Sequence, residues 1–518
     1  MMRHVAWGWL WVILAWLAPD LVRASDQLVV LAYHDVQPQA DRGKDPDAIT
    51  PDHFISQLEW LRGHDWTFVS LEQVLAARAG GPALPDRAVM LTIDDGLASA
   101  YTQIYPLLRA YRIPATLALV DSWINQAPGR SFDYNGTSCG SSCFVTWDQV
   151  REMDRSGWVT LISHSHDLHH GIMANPQGNM EPAGMAAAHG SDGYESEAQY
   201  RARVRADLVE SQTLLTRELG HPVRAIAWPY GAYNAIQVEE AKALGMASLG
   251  LSAVSATPIH APVIERFLMG HDVELDDLAS KIQASAPVLG KRAIAVSFRD
   301  LAASTVADQD ARLGLLVQRV HDLGVDEVWL TDPWWQDGSD WVSAGPAPAL
   351  TLRADLWNRV VWQLRTRSGA NAVIVVPTAP VPGASLSDLL GNLSRQAALT
   401  SVVLDGSVPL AEQQHALAAV RRWRPAASLR LHAPLTVPRA ASVHPVVDTL
   451  AEATVDPQAF FWVPTAPSSA AAVAQLQAAV AGGTNRLVYR PQDPLSPAVS
   501  WSPLRPGLSS SAFPYKRP

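Results

Sequence analysis

Two carboxylates stand side by side at the end of an apolar run in VMLTIDDG: Asp94 and Asp95, followed by Gly96. Adjacent carboxylates at a strand end repel each other unless a cation or a shared proton relieves them, and a bound divalent metal ion would do so. A surface turn uses the same residue types, since Asp and Gly also close strands. The segment LISHSHDLHHG separates the two readings, because a second apolar run, residues 159–162, again ends in metal-type ligands. His164 and His169 are the expected pair: two imidazoles and one carboxylate leave coordination positions open for water and substrate. His166 and His170 fall outside such a three-ligand set and are expected to be exposed or to support the ligands.

Two further segments complete an inventory. In AIAWPYGAYN, Tyr230 with Gly231 follows a strand-like run and could turn a backbone N–H toward a developing oxyanion, although a plain Pro/Gly turn has the same spelling. In VVLAYHDV, His34 lies just past the first apolar run. A metal, a carboxylate base, an imidazole acid and an oxyanion donor in one cleft are the parts needed for metal-assisted amide hydrolysis. They work together only if their strand ends meet on one rim.

The elements that must bring them together are legible as alternating strands and helices, the pattern of an α/β fold around a parallel sheet or barrel. Residues 28–32, 88–93, 115–120, 159–162 and 225–227 read as buried strands. Thr50 and Pro51 open a helix as N-cap and first-turn residue, Ser70 and Gln73 form a capping box, residues 99–111 read as a helix, and Val204, Leu208, Leu215 and Leu219 mark the buried stripe of another. Residues 171–196, rich in Gly, Met, Asn and Ala without periodicity, read as a long loop.

The pattern breaks at Pro287 and Gly290, and a second alternating series begins at Ile294. Seven strand-like runs follow, near 294–298, 328–331, 373–376, 402–404, 429–431, 460–463 and 487–489. Their spacing, on the order of 30 residues, suits a compact (β/α) barrel. The expected organisation is a signal segment over 1–25, a first domain over 26–285, a second over 293–493 and an irregular Pro/Ser-rich tail over 494–518.

Composition narrows the function further. A net charge of −10 with acidic and basic residues interspersed gives no basic stripe, so a nucleic-acid partner is not expected. The N-terminus has Arg3 and His4, then an apolar stretch ended by Pro19 and Asp20, then Ala24 and Ser25, which reads as a secretory signal. No Cys lies near that cleavage site, so a lipid anchor on cysteine is not expected. Cys139 and Cys143 are the only cysteines, and an exported context favours a small disulfide between them over a metal site.

The segments TIDDG, SHSHDLH and WPYG resemble the motifs of polysaccharide deacetylases of the family 4 carbohydrate esterase type. Longer stretches are similar to the branch of that family that deacetylates exported poly-β-1,6-N-acetyl-D-glucosamine in biofilm-forming bacteria: LTIDDGLASAYTQIYPLLRAYRIPATLALVDSWI, AIAWPYGAYNAIQVEEAKALG and LRADLWNRVVWQLRTRSGA. The resemblance covers the first domain and the start of the second. It implies a deformed, circularly permuted (β/α) barrel followed by a second, shortened (β/α) barrel-like domain. It implies Asp94 as general base, with Asp95, His164 and His169 holding one divalent ion. Zinc is the default, and iron, cobalt or nickel also suit that ligand set. It implies His34 as the acid that protonates the leaving amine, the backbone of Tyr230 as oxyanion donor, and a periplasmic location. The partners implied are the β-1,6-linked N-acetylglucosamine polymer and an outer-membrane export protein.

Arg266 is a candidate to orient Asp94. In the second domain Asp405 matches the family's hydrolytic aspartate, while the second acidic residue that glycoside cleavage needs is not evident. Asp332, Trp334 and Trp335, with Trp341, could bind sugar rings and amines, or the Trp side chains could serve packing. A bifunctional deacetylase and glycoside hydrolase, and a non-catalytic glycan-binding export factor, are the competing readings.

Overall fold

The computed structural model describes residues 27–509 apart from 41–44, 127–128, 130, 135–136, 254, 272, 284–289, 440–442, 457, 467, 485 and 497–499. The signal segment, Pro287 and the last residues of the tail lie outside the described residues. The described residues fall into two compact units: those within 1–167, 207–231 and 241–285 form one, and those within 168–206, 232–240 and 286–518 the other.

The first unit is built on parallel strands β1 (Gln27–Tyr33), β2 (Ala88–Ile93), β3 (Ala115–Leu119), β4 (Val159–Ser163), β5 (Ala225–Ala227) and β6 (Ala247–Leu249), hydrogen-bonded in that order. All six residues of β2 and all five of β3 are buried, as a sheet covered on both faces requires, which is why these strands read as unbroken apolar runs. The ring is completed by one short segment. Its first part, β7 (Val263–Ile264), pairs with β6, and its second part, β8 (Phe267–Leu268), pairs with β1. Arg266 sits between the two pairings.

Local chemistry sets the helices. Thr50 accepts from the His53 N–H ahead of helix Pro51–Gly63, and the Ser70/Gln73 capping box opens Leu71–Arg78. The helix expected over 99–111 begins as a wide turn over Ala100–Ile104 before Tyr105–Tyr111 becomes α-helical. Pro106 has no N–H to give to the carbonyl four residues earlier, the physical reason for the wider turn. Residues 171–196, expected to be a loop, contain two small antiparallel hairpins, Gly171–Met173 with Met180–Pro182 and His189–Gly190 with Gly193–Tyr194. Their Gly-rich, non-alternating spelling concealed them.

The second unit contains a closed barrel of eight parallel strands: β9 (Lys291–Ser297), β10 (Glu327–Thr331), β11 (Asn371–Val375), β12 (Ser401–Asp405), β13 (Ser428–His432), β14 (Val443–Val447), β15 (Phe460–Val463) and β16 (Arg486–Tyr489). The sequence pattern gives seven of them. The eighth, β14, carries Pro445 at its centre, opposite Leu431, and a proline inside a run argues against a strand because it has no N–H for the ladder. None of the described residues between β13 and β14 is helical. Inside the barrel Ala293, Trp329, Val403, Phe460 and Val488 form the packed layer, and Arg430 grips Glu327 there with bonds of 2.7 and 2.9 Å. The tail is not irregular throughout. A 3-10 turn (Ser502–Leu504) and a short helix (Arg505–Leu508) bury Trp501, Leu504 and Leu508 in the barrel's outer core.

Candidate active site

Asp94 and Asp95 follow β2 directly and are both buried. Asp95 takes the left-handed conformation at φ 74°, as does Gly96 at 78°, so the chain turns sharply and the two carboxylates part company. The positive φ is what calls for glycine at Gly96, where a Cβ would also press on the tip of Leu119, with Cδ2 at 2.8 Å.

Asp94 turns to Arg266. The guanidinium reaches Oδ1 at 2.7 Å and Oδ2 at 2.9 Å, while its Nε donates to the Gly250 carbonyl at 2.8 Å and Nη1 to Thr92 Oγ1 at 3.1 Å. Burial pushes the Asp94 carboxyl up, but Arg266, His164 and His34 together outweigh it and hold the group below the usual carboxylate range. His34 Nε2 is 3.9 Å from Asp94 Oδ2.

Asp95 turns to the histidines. Asp95, His164 and His169 each present a ligand atom, all within 4.8 Å of one another. His164 Nδ1 lies 2.7 Å from the Ala227 carbonyl, which can only accept, so Nδ1 carries the proton and the lone pair is on Nε2. That Nε2 is 3.3 Å from Asp95 Oδ1. Tyr134 donates its hydroxyl to the other oxygen, Oδ2, at 2.5 Å. A carboxylate and two imidazoles, one with its tautomer fixed by a carbonyl, suit a divalent ion.

His166 does not join this group. Its Nδ1 pairs with buried Asp121, and that hydrogen bond raises the imidazole to about 9. Its backbone N–H and that of Asp167 both bond to Asp207, at 3.0 and 2.7 Å, pinning the turn that carries the ligands. His170 is exposed. Tyr230 stands at the end of β5 in a 3-10 turn with φ 57°, half exposed, and its phenol is pushed up by partial burial and by the Asp95 charge. Its conformation is strained for a residue with a Cβ.

In the barrel unit, Asp332 and Asp405 line one cavity of about 210 Å³ at the strand ends, with Thr378, His432, Trp462 and Arg490. Ser297 and Thr331 donate to Asp332 at 2.5 and 2.9 Å. Trp334 and Trp335 are not at that cavity. They are 1% and 7% exposed, inside the apolar core, so their faces are already covered and the expectation that they stack on sugars is corrected. The aromatic wall is Trp462, stacked on His432 at 5.3 Å, and a Trp near the C-terminal end of a barrel strand was the signal for it.

Residues 81–249 match the sequence profile of the polysaccharide deacetylase family. Among curated relatives, poly-β-1,6-N-acetyl-D-glucosamine N-deacetylase of Escherichia coli is 33% identical over 357 residues, 67% of this chain and 52% of the relative. The enzyme of the same name from Staphylococcus aureus is 26% identical over 199 residues, 38% of this chain and 59% of the relative. The chain thus spans about half the length of the curated relatives it matches. A solved de-N-acetylase from Aggregatibacter actinomycetemcomitans is 35% identical, the match covering 49% of this chain and 99% of that one, with a TM-score of 0.47.

The chain belongs to the polysaccharide deacetylase family.

Within this deacetylase-family chain, the profile match takes in Asp94, Asp95, His164, His169 and Tyr230, whereas His34 and Arg266 lie outside it: His34 reaches the site through the direct pairing of β1 with β2, and Arg266 through the segment that closes the ring. Residues 300–383 match a second profile, hypothetical glycosyl hydrolase family 13.

Proposed function

We propose that this chain is an exported, periplasmic, metal-dependent N-deacetylase acting on poly-β-1,6-N-acetyl-D-glucosamine, releasing acetate and leaving a partly deacetylated biofilm polymer. The observation that carries the reading is the separation of roles at one strand end: Asp94 is held ionised by Arg266, and Asp95 gathers with His164 and His169. In the proposed mechanism Asp94 accepts a proton from the attacking water, whose oxygen bonds to the acetyl carbon. The Tyr230 N–H donates to the developing oxyanion. His34 gives a proton to the sugar nitrogen as the C–N bond breaks, so acetate and a glucosamine amine leave. The chemistry that a divalent ion on Asp95, His164 and His169 supplies is Lewis acidity toward the carbonyl and a lower pKa for water. Zinc is the default ion.

The division into a catalytic domain over 26–285 and a barrel domain over 293–493 belongs to the same proposal, as does an outer-membrane export protein as partner. The barrel cavity, with Asp332, Asp405 and Trp462, would hold the newly cationic polymer. A second reading, in which the barrel also cleaves the chain, is favoured by the glycosyl hydrolase profile match. Incubating β-1,6-linked N-acetylglucosamine oligomers with the metal-loaded protein and reading the products by mass spectrometry tests both. Loss of acetyl groups at constant chain length supports a deacetylase whose barrel binds, shortened chains support the second reading, and unchanged oligomers overturn both.

A further inference from the structure

Asp95 is held from two directions by one small substructure outside the family's motifs. Strands Phe132–Tyr134 and Thr137–Cys139 form an antiparallel hairpin in which Phe132 faces Cys139 and Tyr134 faces Thr137. From this hairpin Tyr134 reaches 39 residues back in sequence to donate its hydroxyl to Asp95 Oδ2. A 3-10 turn follows, Ser141–Cys143, and Cys143 is disulfide-bonded to Cys139 with their Cα atoms 5.6 Å apart. Immediately after it, Phe144 bridges to Leu97, and the Val145 N–H donates to the Gly96 carbonyl at 3.0 Å. The two halves of the substructure therefore grip the same turn, Asp95–Gly96–Leu97. One half holds its side chain, the other its backbone, and the disulfide ties the halves together.

Apolar packing reinforces the tie. Trp123 lies 4.7 Å from Phe132, 5.3 Å from Phe144 and edge-on to Tyr134 at 5.9 Å, and Phe132 stacks on Phe144 at 5.5 Å. Cys139, Cys143, Leu97 and these rings form one cluster. A carboxylate ligand with one oxygen fixed by a hydrogen bond has its plane and its other oxygen set in advance, which lowers the ordering cost of binding a cation. Here Oδ2 is the fixed oxygen, and Oδ1 is the one beside His164.

We infer that Tyr134 is a positioning residue for the metal ligand Asp95, and that the Cys139–Cys143 disulfide acts as a staple whose job is to hold Tyr134 in register with the Asp95 turn. The inference rests on the proposed metal site and adds a specific dependence: tight metal binding needs the oxidised staple, through Tyr134.

The test is a Co²⁺ titration of the metal-free full-length chain, followed by visible absorption, for wild type, Tyr134→Phe, the double variant Cys139→Ala with Cys143→Ala, and all three substitutions together. Loss of a hydrogen-bond partner to a ligand weakens metal binding about 10-fold to 100-fold. Tyr134→Phe and the staple variant are each expected to weaken Co²⁺ binding by about 10-fold or more, and the triple variant to be no weaker than the weaker of the two, because both act through one contact. Circular dichroism melts establish that each variant is folded. If the staple variant does not fold, Phe132→Leu, which loosens the same stack, takes its place in the cycle. An unchanged affinity in Tyr134→Phe overturns the positioning role, since a merely structural ring is kept by Phe. Multiplying effects in the triple variant overturn the link between staple and Tyr134. Wild type that takes up no Co²⁺ overturns the proposed metal centre itself, a different failure.

Discussion

Arg266 and Asp94 meet as a two-pronged, fully buried ion pair 172 residues apart in sequence, with bonds of 2.7 and 2.9 Å. The pair exists because the segment carrying β7 and β8 leaves β6 and joins β1, and Arg266 is the residue at the crossing. A carboxylate buried this deeply would otherwise favour its neutral form, and a neutral Asp94 is no base.

Arg266→Lys keeps a charge but loses the fork. Asp94 has its pKa lowered in the folded state, so the pair's contribution to stability is present above the ordinary carboxylate pKa and is lost as pH falls through the lowered value. With the fork gone, the acid limb of kcat/KM is expected to move to higher pH. Arg266→Met, which strands the buried carboxylate, is expected to cost about 3–5 kcal/mol in urea denaturation at pH 7. A pH–rate profile and a denaturation curve check the two halves separately.

His34→Gln should lower kcat on the amide substrate by about 10²-fold to 10⁴-fold, the usual worth of a positioned acid. Activity on an aryl acetate, whose phenolate departs without a proton, should fall far less. Equal losses on both substrates would show that His34 does something other than protonate the leaving group.

In the barrel, burial pushes the Glu327 carboxyl up, and Arg430 and Lys291 outweigh it, holding it at about 2 against an ordinary 4.5. The stability it contributes is therefore present above pH 4.5 and lost as pH falls toward 2. Glu327→Gln is expected to destabilise the chain by about 3–5 kcal/mol at neutral pH, because Arg430 is left buried without its partner. The variant should also lose less further stability than wild type on acidification, measured by urea denaturation at pH 7 and pH 3.

Trp462→Ala and Trp334→Ala should separate binding from packing. The first removes the half-buried wall of the barrel cavity, a ring that also packs on Trp329, and is expected to weaken binding of glucosamine oligomers with a smaller loss of stability than the second. The second empties a fully buried core position and is expected to cost about 3–5 kcal/mol. Calorimetric titration with the oligomers and thermal melts read the two effects.

What the sequence discloses here is local. Asp94, Asp95, His164 and His169 are legible because each follows an unbroken apolar strand, and strand ends in an α/β fold converge on one rim. β14 is hidden by Pro445, and the hairpins within 171–196 by a composition that carries no alternation. Trp334 and Trp335 look like a sugar platform by residue type, but only burial distinguishes a platform from a core. Tyr134 gives no signal at all: its link to Asp95 depends on how a hairpin 39 residues away folds back. Arg266 is a candidate partner of Asp94 in the sequence, but its two-pronged contact depends on a ring closure that strand patterns do not show.

Asp95, His164 and His169 are proposed to form a metal centre for amide hydrolysis. Acetate release from β-1,6-linked N-acetylglucosamine oligomers tests it most directly, followed in the wild type before chelation, after chelation and after Zn²⁺ or Co²⁺ is restored, with Asp95→Ala alongside. Release is expected to disappear on chelation, to return with the ion and never to appear in Asp95→Ala. Release that persists undiminished in the chelated protein or in Asp95→Ala would contradict it.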